Sequence, residues 1–371
     1  LGCFAPAGQF SDDAALLGPA PEGAGSLVVN TDVLVEGIHF SDATTGPADV
    51  GWRAAAANLS DLAAMGCSEV VGLTVGLVAP ATTPWSWVEG VYRGLREALD
   101  SYGGVLLGGD CSGGAQRLLA VTAIGRLPST TALAAEGPSG ERRILIGPEG
   151  GPPGAIRRGD GRPGDALLST GPHGLSRLGL ALLQGELATG AAARDNAAEA
   201  LTTAFGPAGP PWETIETGNC AAGSIPAGLI RRAIASHRRP QPRFDAVRAL
   251  TSARPAGLPW RVGGCDSSDG LAAALAAITT ASGCAARLER NALPLDSEMA
   301  TLPQAESWCL AGGEDFELLL ALEPSWAAAL TGVLPGSAVI GELVEGTSGA
   351  LSWSDGNPWP EATAGGYQHF G

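Results

Sequence analysis

Apolar positions along the chain follow two rhythms. Short apolar runs at Ser26–Asn30, Val70–Val78, Val105–Leu107, Leu118–Arg126, Asp165–Ser169, Ala286–Leu288 and Ala338–Ile340 have the length and makeup of strands. Between them lie segments with the wider spacing of a helix. One opens at Asp49, a plausible N-cap, and runs to Met65, with Gly66 where a terminating glycine would stand. Another spans Pro84–Tyr102 and is closed by Gly103 and Gly104. Further helices are expected at Gly174–Leu187, Leu271–Ser282 and Ser325–Leu334. Strands alternating with helices predict an α/β (α+β) fold.

The rhythm breaks twice. Pro128–Gly164 is rich in Gly, Pro, Ser and Arg and reads as a linker with an inserted excursion. Gly190–Pro226 is a second irregular stretch and reads as an insertion, about residues 190–226. The first break sets a domain boundary near residue 155, giving an N-terminal α/β domain of residues 1–155 and a C-terminal α/β domain of residues 156–371. No repeat of 20–50 residues stands out.

Composition narrows the chemistry. The formal charge of −16 disfavours a nucleic-acid partner, which demands a basic face. All 22 cationic side chains are arginine. A phosphate-binding P-loop and a protein kinase each need a lysine on the phosphates, so both are excluded. The 7 cysteines are scattered and never spaced CxxC, which speaks against a disulfide scaffold or a zinc site and for a reducing cytoplasm. Apolar runs such as Leu73–Ala79 are far shorter than the roughly 20 residues a membrane span needs, and no secretory signal pattern is evident, so no membrane association is expected.

Five short acidic motifs recur where strands and helices are expected to begin or end: Ser11-Asp12-Asp13, Asn30-Thr31-Asp32, Leu59-Ser60-Asp61, Gly108-Gly109-Asp110 and Asp266-Ser267-Ser268-Asp269-Gly270. One such aspartate is ordinarily a turn or cap residue. Five of them at element ends suggest a shared crevice. Gathered carboxylates repel by about 4 kcal/mol per pair at 4 Å and an effective dielectric near 20, so such a crevice calls for divalent cations. Oxygen ligands without His or Cys favour Mg²⁺, Mn²⁺ or Ca²⁺, and Mg²⁺ bridges naturally to phosphates. Asn58 and Asp61, three apart, share one helical face within an alanine-rich segment.

These motifs resemble thiamine-monophosphate kinase, a family within the larger group of aminoimidazole ribonucleotide synthetase-like ATP enzymes. The resemblance rests on residues 31–40, Asn-Leu-Ser-Asp-Leu-Ala-Ala-Met-Gly (58–66), Leu-Gly-Gly-Asp (107–110), Asp-Ser-Ser-Asp-Gly-Leu (266–271), Gly-Gly-Glu-Asp-Phe-Glu-Leu-Leu (312–319) and Gly-Tyr-Gln-His-Phe (366–370). It implies a four-stranded N-terminal sheet pairing across a homodimer, a C-terminal domain over the ATP cleft, and several Mg²⁺ ions. By position it implies metal roles for Asp13, Asn30, Thr31, Asp32, Asp61, Asp110, Asp266 and Asp269. It implies ATP contacts for Tyr102, Gly109, Asp110, Arg158 and Ser268, and thiamine monophosphate contacts for His39, Glu314 and Tyr367. Arg239-Pro240-Gln241-Pro242-Arg243 is similar to a family segment and is left without a role. Ser11 and Asn30 depart from the usual Gly and Ser, and residues 129–155 and 190–226 are longer than the usual pattern.

The implied reaction moves the terminal phosphoryl group of ATP onto thiamine monophosphate. The acceptor oxygen is already anionic near neutrality, since a phosphomonoester's second pKa is about 6. No general base is implied. Two alternatives stay open. One is another enzyme of the same group: a carbamoyl-dehydrating hydrogenase maturation protein would need a C-terminal cysteine where this chain has His369-Phe370-Gly371, and a selenophosphate synthetase would need an N-terminal Cys-and-Lys arrangement where this chain has Cys3 and no lysine. A non-catalytic nucleotide- or metal-binding homologue is the other.

Overall fold

A computed structural model describes residues 11–17, 24–129, 135–136, 142–143, 154–187 and 225–360. The first sheet has five strands in the order β1-β2-β5-β3-β4. They are β1 (Ala15–Leu17), β2 (Leu27–Val35), β3 (Glu69–Ala79), β4 (Val105–Gly113) and β5 (Leu118–Arg126). The four longer strands match the expected sheet, and β1 adds a short fifth at the edge beside β2. Two-residue strands β6 (Ala135–Glu136) and β7 (Arg142–Arg143) pair only with each other.

Two helices cover one face of this sheet: α1 (Pro47–Ala64) and α2 (Trp85–Tyr102). Helix α1 starts with proline in its first turn, where the missing N–H costs nothing. It ends before Gly66, whose φ of 86° suits glycine. Its alanines 54, 55, 56, 63 and 64 are buried, so small side chains let it lie deep between the sheet and the rest of the molecule. The two helices meet through glycine. A Cβ on Gly94 would lie 1.7 Å from the Ala48 carbonyl oxygen, and one on Gly51 would lie 1.9 Å from that of Val91. Gly94→Ala should therefore cost about 3 kcal/mol, the upper range for overpacking a core. Urea unfolding would read this directly.

The second sheet runs β13-β10-β12-β8-β11-β9. Its strands are β8 (Ala166–Ser169), β9 (Gly263–Asp266), β10 (Ala285–Leu288), β11 (Leu318–Leu322), β12 (Ala338–Val344) and β13 (Leu351–Trp353). Strand β11, between β8 and the edge strand β9, is wholly buried and wholly apolar. Around it lie α3 (Leu175–Leu183), α4 (Ala227–Arg238), α5 (Phe244–Ser252), α6 (Leu271–Ala281), α7 (Ala305–Ala311) and α8 (Pro324–Thr331). Helices α3 and α4 pack through Leu178, Leu229 and Ala233. Most of the expected insertion at 190–226, and of the excursion near 129–155, lies outside the described residues.

The arginine segment left without a role is a strap between the halves. Arg239 pairs with Asp49 on α1 and Glu97 on α2, and its guanidinium sits 5.4 Å from the centre of the Trp52 ring. The Pro240 carbonyl accepts the Trp52 indole N–H at 2.8 Å. Arg243 pairs with Glu317, just before β11, and with Asp245.

Three motifs expected at element ends sit inside elements instead. Strand β2 does not stop at Thr31-Asp32, because its ladder to β5 continues unbroken from Leu27 to Val35. Strand β4 likewise runs past Leu107 through Gly108-Gly109-Asp110, paired in parallel with β3. Leu59-Ser60-Asp61 lies within α1.

Candidate active site

Three carboxylates converge where the two halves meet. Asp13 precedes β1, Asp61 is on the last turn of α1, and Asp266 ends β9. Each offers an oxygen, and these oxygens lie within 4.8 Å of one another. Burial, reinforced by Asp266, lifts the Asp13 carboxyl to about 7, against the pull of Arg158. Burial also raises Asp61 well above the usual carboxylate range, with Asp266, Asp32 and Asp13 adding repulsion and Asn30 opposing. Three acids this close, one buried and two partly so, are poorly satisfied without a cation.

Polar neighbours orient the three. Asn30 Nδ2 donates to Asp61 Oδ2 at 2.7 Å, and the Ser60 hydroxyl donates to Asp266 Oδ2 at 2.6 Å. The Ser268 hydroxyl donates to Asp266 Oδ1 at 3.0 Å. Arg158 ion-pairs with Asp13, and its own N–H donates to Asp12 Oδ1 at 2.9 Å. Asn58, fully buried, accepts the Asp32 N–H at 3.2 Å and donates to the Ala54 carbonyl. The shared face read from the spacing of Asn58 and Asp61 is thus a buried one turned toward β2.

Other expected metal residues are placed differently. Asp32 stands close enough to raise Asp61 but is not one of the converging three. Thr31 cannot present its hydroxyl there: side chains alternate along a strand, and its hydroxyl meets Thr122 at 2.8 Å on the exposed face. Asp269 is exposed and lies outside the group of three. Asp110 and Gly109 are on β4, three strands across the sheet from β2. A Cβ on Gly109 would meet the Val75 carbonyl oxygen at 2.0 Å, so that glycine is needed for strand pairing itself. Of the expected ATP residues, Arg158 and Ser268 touch the carboxylates. Tyr102 instead packs between Trp52 and Phe244 and donates to Gln241 at 2.8 Å.

His39 and Glu314 come together through Arg53, a residue not singled out in the sequence. Arg53 donates to Glu314 Oε1 at 2.6 Å and to the His39 carbonyl at 3.2 Å. The His39 Nδ1 accepts the Val35 N–H at 3.0 Å, which leaves Nε2 to carry the ring proton when the ring is neutral. The Glu314 N–H donates to the Ser268 carbonyl at 2.7 Å, linking this region to the carboxylates. Tyr367 lies outside the described residues.

Comparison with known proteins follows the same division. Residues 11–127 match the family described as "AIR synthase related protein, N-terminal domain", which gives the class of the N-terminal half. The chain is 41% identical to the thiamine-monophosphate kinase of Synechococcus elongatus, over 100% of this chain and 94% of the relative. It is 39% identical to that of Prochlorococcus marinus, over 98% and 91%. The chain belongs to the thiamine-monophosphate kinase family. Among solved structures, "AaThiL complexed with AMPPCP and TMP" superposes with a TM-score of 0.70 at 23% identity, covering 100% of this chain and 94% of that one. The enzyme from Stenotrophomonas maltophilia K279a gives 0.65 at 26%, covering 92% and 89%. A hydrogenase maturation protein in complex with ATP shares the fold at 16% identity and a TM-score of 0.58. Among the described residues no helix is long and apolar enough to cross a membrane.

Proposed function

We propose that this chain transfers the terminal phosphoryl group of ATP to thiamine monophosphate, giving ADP and thiamine diphosphate. The observation that carries the reading is the convergence of Asp13, Asp61 and Asp266 beside Arg158. Oxygen-only donors within 4.8 Å suit Mg²⁺, which these three would hold with Asn30 and Asp32 behind them. When bound, Mg²⁺ supplies the charge neutralisation that a chain without lysine otherwise leaves to arginine. An oxygen of the acceptor phosphate attacks the γ-phosphorus, and the bond to the β-γ bridging oxygen breaks. No proton has to leave the acceptor first. Arg158 and Ser268 belong to the ATP side, His39 and Glu314 to the acceptor side; for Tyr367 an acceptor role rests on the family resemblance alone.

The same reading includes a homodimer. Every residue of β4 is exposed, including Val105, Leu106 and Leu107 at 58%, 45% and 47%. The uncovered sheet face adds Val33 at 44%. Bare strand edges are normally covered, and a second copy would cover this one. A role for Gly109 and Asp110 at a metal or nucleotide site calls for such a copy.

ADP release tests the reading. With ATP and Mg²⁺, thiamine monophosphate should yield ADP and thiamine diphosphate in equal amounts, while unphosphorylated thiamine yields neither. EDTA should abolish both products. Tight nucleotide binding with no product would instead mark a binding protein.

A further inference from the structure

The Arg53 side chain is only 3% exposed, on a helix otherwise lined with alanine. Its guanidinium spans both halves of the molecule. One Nη donates to the carbonyl of His237 at the end of α4, and the other to the His39 carbonyl and the Glu314 carboxylate. We propose that Arg53 is the positioning residue of the acceptor pocket, fixing the Glu314 carboxylate and the His39 turn against each other; this rests on the function proposed above.

Three observations distinguish this arrangement from an ordinary structural ion pair. First, the pair is lopsided. Arg53 is buried, yet the Glu314 side chain is 34% exposed, so one face of the carboxylate remains open to a ligand. Second, Glu314 has φ of 56° and Phe316 has φ of 53°, and they are the non-glycine residues with positive φ among those described. Such backbone is strained and persists where surrounding contacts hold it. Here those contacts are the Ser268 carbonyl on the Glu314 N–H and Arg53 on its carboxylate. Third, the neighbouring imidazole cannot do the same task. His237 Nδ1 is 4.0 Å from Glu314 Oε2 and 3.4 Å from the Ser176 hydroxyl, and burial among Arg53, Arg238 and Arg177 keeps the ring neutral. Arg53 is therefore the cation that anchors Glu314. A carboxylate held this way, with one side open, suits a cationic or N–H-bearing part of the acceptor, away from its phosphate.

The test is steady-state kinetics on the full-length enzyme carrying Arg53→Gln, Arg53→Lys, Glu314→Gln or both Gln changes. Melting temperatures are recorded with and without ATP–Mg²⁺. Arg53→Gln should raise KM for thiamine monophosphate at least tenfold while KM for ATP stays within twofold. Arg53→Lys should recover part of the loss, and the double variant should be no worse than the poorer single one. If Arg53→Gln does not fold, Arg53→Lys and Glu314→Gln read the same selective change. Wild-type kinetics in these variants, or losses equal for both substrates and tracking the fall in melting temperature, would overturn the positioning role. If the unaltered enzyme releases no ADP with thiamine monophosphate, the proposed function itself falls, and this assignment with it.

Discussion

Asp61→Asn should reduce phosphoryl transfer roughly a thousandfold, about 4 kcal/mol in transition-state stabilisation, while the metal-free protein melts at a higher temperature. The two effects have one cause. Asp61 is largely desolvated and repelled by Asp266, Asp32 and Asp13. Asparagine keeps the shape, and its oxygen can still accept from Asn30 Nδ2, which is 2.7 Å from the aspartate oxygen. It removes one of three carboxylates that a cation would bridge, so the empty site relaxes and the loaded site weakens. Added Mg²⁺ should then stabilise the variant less than the wild type. Full turnover in the variant, or a melting temperature that falls in EDTA, would show that the carboxylate cluster is not a metal site.

The second large effect concerns pH. Asp13 has a folded pKa of about 7 against an ordinary 3.8. A carboxyl raised on folding binds its proton more tightly in the native state. The Asp13 contribution to metal-free stability is therefore greatest at low pH and declines as pH climbs from about 4 toward 7. The loss attributable to Asp13 is on the order of 4 kcal/mol, one pKa unit being about 1.4 kcal/mol, and Asp61 acts in the same direction. Cation binding needs the ionised forms, so Mg²⁺ should stabilise little at pH 5 and strongly at pH 8. Melting curves in EDTA and in Mg²⁺ should separate progressively across that interval. Asp315, which burial also raises to about 7, contributes equally to both curves and drops out of their difference. A gap independent of pH would contradict the arrangement.

The alternation of strands and helices and the acidic motifs were legible in the sequence, because period and spacing are local properties. Asn58 and Asp61 illustrate this: three residues apart on a helix, they had to share a face, and both turn toward β2. Where local reading failed, the cause was also physical. Glycine and aspartate at Gly108-Gly109-Asp110 resemble a turn, yet glycine there serves the close approach of β4 to Val75. Thr31 stands between Asn30 and Asp32 in the motif, but strand alternation sends its side chain to the other face. Ser60 and Arg53 were missed because their partners are distant in the chain: Asp266 for one, Glu314 and the His237 carbonyl for the other. An arginine within Trp-Arg-Ala-Ala-Ala-Ala was the available signal, a charge in a segment otherwise fit for burial.

Helix α1 carries Arg53 and Asp61 eight residues apart, roughly 12 Å along its axis. Its near-complete burial makes it a rigid ruler between acceptor and cation sides. Adding or removing one residue between Ala54 and Ser60 would shift one end by about 1.5 Å and swing it by about 100° relative to the other. Each end could keep its own neighbours, yet the two would no longer aim at a common point. For this stretch, evolution can exchange side chains far more freely than it can change the count of residues.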